Sequence, residues 1–153
     1  MIKLKSLILN IFLSVGIGIL SSFLTGNFSA LYQGVNRPSL APPAWIFPAV
    51  WSVLYILMGV SAYIIGESGS NMKSSALRVY CLQLAVNFLW SPLFFTFKFY
   101  WFSFFWLLFL WVLVLVMIIK FFKINKLAAY LQIPYLVWLT FAAYLNFSVA
   151  VLN

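Results

Sequence analysis

Five stretches of the chain carry no charged residue: Ser6–Asn36, Pro38–Gly66, Val79–Phe97, Phe99–Ile119 and Leu127–Asn153, which are 31, 29, 19, 21 and 27 residues long. Roughly 20 apolar residues span a bilayer as a helix, so each stretch holds one crossing. Nothing alternates with period two, and hydrocarbon forbids an unpaired backbone, which selects helices over a barrel. The pattern predicts an all-α integral membrane protein. It is one domain over residues 1–153, a bundle of five helices at about 5–25, 43–66, 77–95, 100–121 and 127–151. The opening "MIKLKSLILNIFLSVGIGILSS" has the lysines and apolar core of a signal peptide. It lacks a small-residue cleavage site and stays apolar to Leu24, so it is read as the first helix.

Proline punctuates one boundary heavily. The stretch "RPSLAPPAWIFPAVW", Arg37 to Trp51, holds four prolines in fifteen residues. Ala41 and Pro42 each precede a proline and are pushed to extended backbone. Pro43 is expected to open the second helix, where its missing N–H costs nothing. Pro48, one turn further in, is expected to strip the Ala44 carbonyl of its partner and kink the helix. Ahead of it lies a long, nearly uncharged segment, Gly26 to Pro42, read as an ordered lid that packs through Leu31 and Tyr32. On the first helix Asn10, Ser14, Gly18, Ser21/Ser22 and Thr25 form a small, mildly polar stripe of the kind that lets helices approach in lipid. The fourth helix is apolar all round. Its Trp101, Trp106 and Trp111 step by five residues and so scatter around it, reading as lipid-facing.

Charge adds orientation. The formal net charge is +8, a value that also suits a nucleic-acid binder. Its distribution removes that reading: five crossings put Lys3, Lys5, Lys73, Arg78, Lys120, Lys123 and Lys126 on one face and only Arg37 and Lys98 on the other. The bias of basic residues toward the cytoplasm then predicts a cytoplasmic N-terminus and an external C-terminus. The partner is the lipid bilayer, not nucleic acid. Cys81 is the only cysteine and allows no internal disulfide.

Composition also excludes chemistry. The sequence has no His and a single acidic residue, Glu67, at a helix end. Paired-carboxylate catalysis, histidine metal sites and Ser–His–Asp nucleophiles are ruled out within one chain, and no metal site is expected. What remains inside the membrane is amides and aromatics. Gln83, Asn87 and Trp90/Ser91 share a face of the third helix. Trp51, Tyr55 and Gly59 share one on the second, and Pro134, Trp138, Ala142 and Asn146 one on the fifth, flanked by Phe141 and Leu145. At 1.5 Å per residue, Trp51 lies about 12 Å, Asn87 and Trp90 about 12–16 Å and Trp138 about 18 Å below the lid side. The expectation is one aromatic cavity beneath the lid that accepts a flat, apolar ligand. Arg37, the lid's only cation, reads equally as an interfacial anchor and as a partner for an acidic group on a ligand.

The stretches "RPSLAPPAWIFPAVWSVLYILMG", "QLAVNFLWSPLFF" and "PYLVWLTFAAYLN" resemble, in order and across the whole chain, the three signature segments of the TspO/MBR family of translocator and tryptophan-rich sensory proteins. The resemblance implies a bacterial-type member, a cell-membrane receptor or sensor. It would bind porphyrins such as protoporphyrin IX, and benzodiazepine-type aromatics, in a cavity under the first loop. The positions matching the family's ligand site are Pro42, Pro43, Trp51, Asn87, Trp90, Trp138, Ala142 and Leu145, to which the residue faces add Tyr55 and Phe141, with Tyr32 and Arg37 in the lid. No cofactor is required; porphyrin would be ligand or substrate. Light- and oxygen-dependent porphyrin breakdown beside Trp51 and Trp138, and tetrapyrrole transport, are the alternatives the family offers. The chain departs from the family at Leu40, where an aromatic is usual. It departs again at "LNFSVAVLN", which lacks the Tyr and following cation of the animal sterol motif. A homodimer is a further implied partner, although the small-residue seam used for it carries Arg78 and Leu82 here.

Overall fold

The computed structural model describes residues 3–153. Five helical segments among them are long and apolar enough to cross a membrane. They comprise α1 (Leu4–Thr25), α3 (Ile46–Gly66), α4 (Lys73–Ser91) with a wide π-helical turn (Pro92–Thr96), α5 (Tyr100–Phe122), and a fifth crossing divided into α6 (Lys126–Tyr130) and α7 (Ile133–Leu152). A short helix, α2 (Phe28–Gln33), interrupts the lid segment, where Asn27 caps it by accepting from the Ala30 N–H. α1 packs most extensively on α3. α4 touches α1, α3 and α5, and α5 joins α7.

Most of the boundary shifts have a proline at their root. Pro43 does not open the second crossing; residues 43–45 turn first, with the Ile46 N–H bonded to the Pro43 carbonyl, and the helix begins at Ile46. The kink expected at Pro48 is therefore absent. Pro48 falls in the first turn, where the N–H it lacks would have been unpaired anyway. The third crossing starts four residues earlier than expected, at Lys73, and Pro92 widens its far end into the π turn, with the Phe97 N–H reaching back to the Pro92 carbonyl at 3.0 Å. The fifth crossing, expected as one helix, breaks at Leu131–Gln132 because Pro134 sits at the start of α7.

The freed carbonyls are met from neighbouring helices. Pro92 has no N–H for the Phe88 carbonyl, and Ser21 Oγ donates to it at 2.9 Å. At the fifth-crossing break the Gln132 N–H goes to Ala129, leaving the Ala128 carbonyl to accept from Ser61 Oγ at 2.7 Å. Gln132, fully buried, donates its own amide to the Leu57 carbonyl at 3.4 Å. In hydrocarbon these bonds replace what water would supply.

The small-residue stripe of α1 is helix packing, as the sequence suggests. Gly59 of α3 faces it so closely that a Cβ there would lie 2.5 Å from Ile11 Cα, and Ser14 Oγ donates to the Tyr55 carbonyl at 2.7 Å. Trp101 is exposed to lipid. Trp106 and Trp111 are not simply lipid-facing: their indoles donate to the Val86 carbonyl at 2.8 Å and to Thr140 Oγ1 at 2.9 Å, tying α5 to α4 and α7. At the basic end Lys3 Nζ pairs with Glu67 Oε2 at 2.8 Å, and Ser6 donates to the same carboxylate, joining the ends of α1 and α3.

Two outcomes follow. Gly59→Ala should force the α1 and α3 backbones apart and lower stability by about 1–3 kcal/mol, read as thermal unfolding in detergent. Hydrogen bonds from Lys3 and then Ser6 hold the Glu67 carboxyl below its ordinary value of 4.5. A depressed carboxyl contributes stability above that value and loses it as pH falls through the folded-state value. Unfolding temperature should therefore drop slightly below pH 4.5, and Glu67→Gln should remove that part of the acid dependence.

Candidate functional site

Above the Gly59 contact α1 and α3 diverge, and a cavity of about 490 Å³ occupies the gap. α3 supplies Phe47, Trp51 and Tyr55, which stand four residues apart on one face. α4 supplies Asn87, Trp90 and Ser91, the π turn Phe95, and α1 Gly18, Ser21, Ser22 and Thr25. Phe28 and Ser29 of α2 close the top. Trp51 leans on Tyr55 at a ring separation of 5.5 Å. Gly18 leaves the room for the Tyr55 ring, because a Cβ there would collide with it.

A second hollow of about 30 Å³ lies under the lid, lined by Tyr32, Arg37, Ala142 and Leu145. Phe47, Trp90 and Phe95 line both spaces and form an aromatic partition between them. Thus the single cavity expected from the sequence is two unequal ones. Of the residues singled out there, Trp51, Tyr55, Asn87 and Trp90 border the larger, and Tyr32, Arg37, Ala142, Leu145 and again Trp90 border the smaller.

Pro42, Pro43, Trp138 and Phe141 border neither of these two spaces. Pro42 instead presents its carbonyl to the Tyr32 hydroxyl at 2.7 Å, and Pro43 is exposed, so the proline pair braces the lid from outside. Rise per residue placed Trp138 at the right depth, but its direction was not part of that estimate. α7 turns Tyr135, Leu139, Ala142, Leu145 and Asn146 inward, and Trp138 falls at the edge of that stripe. Its ring meets Phe47 edge-on at 5.7 Å and Phe141 at 5.6 Å, and its buried Nε1 has no protein partner.

The buried amides clamp helices together. Asn87 Nδ2 donates to the Tyr55 hydroxyl at 3.0 Å, linking α4 to α3 along the cavity wall. Trp90 Nε1 donates to Asn146 Oδ1 at 3.1 Å, and Asn146 Nδ2 to the Tyr100 carbonyl at 2.9 Å. The Tyr135 hydroxyl donates to Gln83 Oε1 at 2.9 Å. Both Trp90 and Tyr55 are thereby fixed as walls.

The lid is fastened at several points. Phe28, Tyr32, Phe47 and Phe95 form a ring cluster with centroid separations of 5.0–5.6 Å. Arg37 lies over the Tyr32 ring, 4.5 Å from its centre. Burial raises the Tyr32 hydroxyl pKa, with Arg37 opposing that shift. The Asn153 side chain bonds both to the Asn36 N–H at 3.1 Å and to its carbonyl at 3.0 Å.

Sequence reasoning missed the α1 wall and the partition. The stripe of small residues on α1 was visible, but a packing seam and a cavity wall look alike until the neighbouring helix diverges. Phe47 was legible as the first member of the 47, 51, 55 face. Phe95 was not, because its direction depends on the π turn.

Fold and site together define a five-helix membrane protein with an aromatic-walled cavity inside the bundle and an inter-helix segment as its roof. The chain belongs to the TspO/MBR family, whose sequence profile matches residues 10–152. It is 34% identical over 152 residues to the tryptophan-rich protein TspO of Archaeoglobus fulgidus, covering 99% of each chain. It is 32% identical over 153 residues to that of Chlorobaculum tepidum, covering 95% of this chain and 97% of the relative. The human translocator protein is 32% identical over 139 residues, covering 89% of this chain and 82% of its own.

The clamp at Trp90 is testable. Asn146→Leu leaves the Trp90 indole N–H unpaired and removes the side-chain bond to the Tyr100 carbonyl, which keeps the Ser103 hydroxyl, and should cost about 1–2 kcal/mol, seen as a lower unfolding temperature.

Proposed function

We propose that this protein is a membrane receptor for flat, largely apolar aromatic molecules of the porphyrin class, held in the larger cavity. The observation that carries this reading is a hollow of about 490 Å³ walled by Phe47, Trp51, Tyr55, Trp90 and Phe95 with a few polar groups among them. That volume falls within the usual range for small-molecule sites, and this mixture of lining groups is typical of them. Each well-placed aromatic pair adds about 0.5–1.5 kcal/mol beyond burial. Affinity beyond the millimolar range therefore rests on enclosing most of the ring system.

An acidic substituent on the ligand would meet Arg37 only by reaching past the partition of Phe47, Trp90 and Phe95, since Arg37 lines the smaller hollow and not the larger cavity. Glu67, the only acidic residue in the sequence, is paired with Lys3 at the opposite end of the bundle. The guanidinium borders the small hollow next to the partition. Trp51 contacts a ring in the larger cavity directly, while Trp138 acts from behind Phe47. The photo-oxidative alternative, which calls for both indoles beside the ring, has one of them on the cavity wall. The seven-to-two division of cations supports a cytoplasmic N-terminus and an external C-terminus.

Titration of purified protein with protoporphyrin IX should quench tryptophan fluorescence saturably. Trp51→Leu should weaken binding about tenfold and Trp138→Leu less than about threefold. Absence of saturable quenching would remove the porphyrin reading, and equal losses in the two variants would move the ring across the Phe47 partition.

A further inference from the structure

The larger cavity is closed at its roof and open on its side. Roof closure is redundant: the ring cluster of Phe28, Tyr32, Phe47 and Phe95, the Tyr32 bond to the Pro42 carbonyl, and the paired bonds between Asn36 and Asn153 act together. The side facing away from α4 has nothing comparable. Ile19 and Ser22 of α1 and Pro48 and Ser52 of α3 line the cavity while remaining exposed on the outer surface of the bundle, Ile19 to 52%. Residues that border a cavity and the outside at once mark a mouth: four of them fall on this side, against Ser29 alone at the upper edge on α2.

Depth assigns this mouth to the bilayer. Ser22 lies three residues from the end of α1 and Ser52 six from the start of α3. At 1.5 Å per residue these are about 5 and 9 Å below the lid-side ends of their helices. Both positions fall within the lid-side half of a hydrocarbon core about 30 Å thick. The cleft has a fixed floor, because α1 and α3 meet at Ile11, Ser14 and Gly59. Its rim is less polar than its serines suggest, since Ser52 Oγ is bonded to the Pro48 carbonyl at 2.7 Å.

We propose that ligands reach the larger cavity sideways, from the lid-side leaflet through the cleft between the upper halves of α1 and α3, with the lid remaining shut. This route rests on the reading of that cavity as a ligand site. A flat apolar molecule concentrates in hydrocarbon, and a lateral path spares it transfer back into water and spares the protein the opening of the ring cluster. The cleft would accept apolar molecules already in the membrane and exclude charged solutes confined to water.

The test uses full-length protein in lipid nanodiscs with Cys81→Ser, so that Ser91→Cys on the far cavity wall is the only thiol. Pyrenyl maleimide, which enters the bilayer, should label it about tenfold faster than a sulfonated maleimide held in water. Ser52→Phe, or Ser22→Phe should the first not fold, should slow pyrenyl labelling at least about fivefold. Opening the roof fastening with Asn36→Ala and Asn153→Ala should not speed the sulfonated reagent. In the same rim variants lacking the added thiol, protoporphyrin IX capture and release should both slow, the mark of an obstructed path; weakened binding alone would quicken release. Comparable labelling by the two reagents, labelling by neither, or acceleration by the roof variant with unchanged rates in the rim variants would overturn the lateral route. If thiol labelling behaves as expected but protoporphyrin does not bind, the route stands and the porphyrin reading falls.

Discussion

The close approach of α1 and α3 is the constraint on which the rest of the structure depends. Gly59 brings the α1 backbone within contact of α3, Ser14 bonds across to the Tyr55 carbonyl, and Gly18 makes room for the Tyr55 ring. This contact sits below the cavity and sets the angle at which the two helices separate above it. Tyr55 is thereby fixed, and with it Trp51, which leans on Tyr55 and meets Tyr135 of α7 at 5.9 Å. Loosening this joint would alter the cavity's floor, its side walls and its mouth together.

A second constraint comes from the solvent. Hydrocarbon offers no hydrogen bonds, so every proline that interrupts a crossing creates a debt that another helix settles. Ser21 answers for Pro92 and Ser61 for the break ahead of Pro134. The same logic explains why the membrane-embedded amides act mainly as clamps: Asn87, Asn146 and Gln83 are bonded to tyrosines, an indole or the backbone. An aromatic cavity with a rigid wall follows, because the polar ends of Tyr55 and Trp90 are anchored while their ring faces remain available to a ligand.

The partition of Phe47, Trp90 and Phe95 separates two tasks. One side is a hollow large enough for a small molecule, and the other is a sealed joint between lid and α7 that holds Arg37 near the cavity without opening it. Phe47 belongs to the cavity wall, the lid cluster and the contact with Trp138 at once. Its rotamer is where the two spaces would be joined or kept apart.

The number and order of the crossings, the basic end, the lid segment and the family were all legible in the sequence, because each depends on local quantities: length of apolar run, placement of charge, and motif. The faces of α3 and α4 were legible too, since one helix's periodicity fixes which of its residues share a side. What the sequence did not determine was where those sides point relative to one another. Depth put Trp138 level with the cavity, but the rotation of α7, imposed by Tyr135, Ala142 and Asn146 packing inward, moved it behind Phe47. Pro43 was expected to open the second helix and Pro48 to kink it; neither holds, because the start of that helix depends on the turn at residues 43–45. The cavity's α1 wall, its aromatic partition and its lateral mouth exist only because two helices pinned at one level diverge at another, and that divergence has no trace in either helix alone.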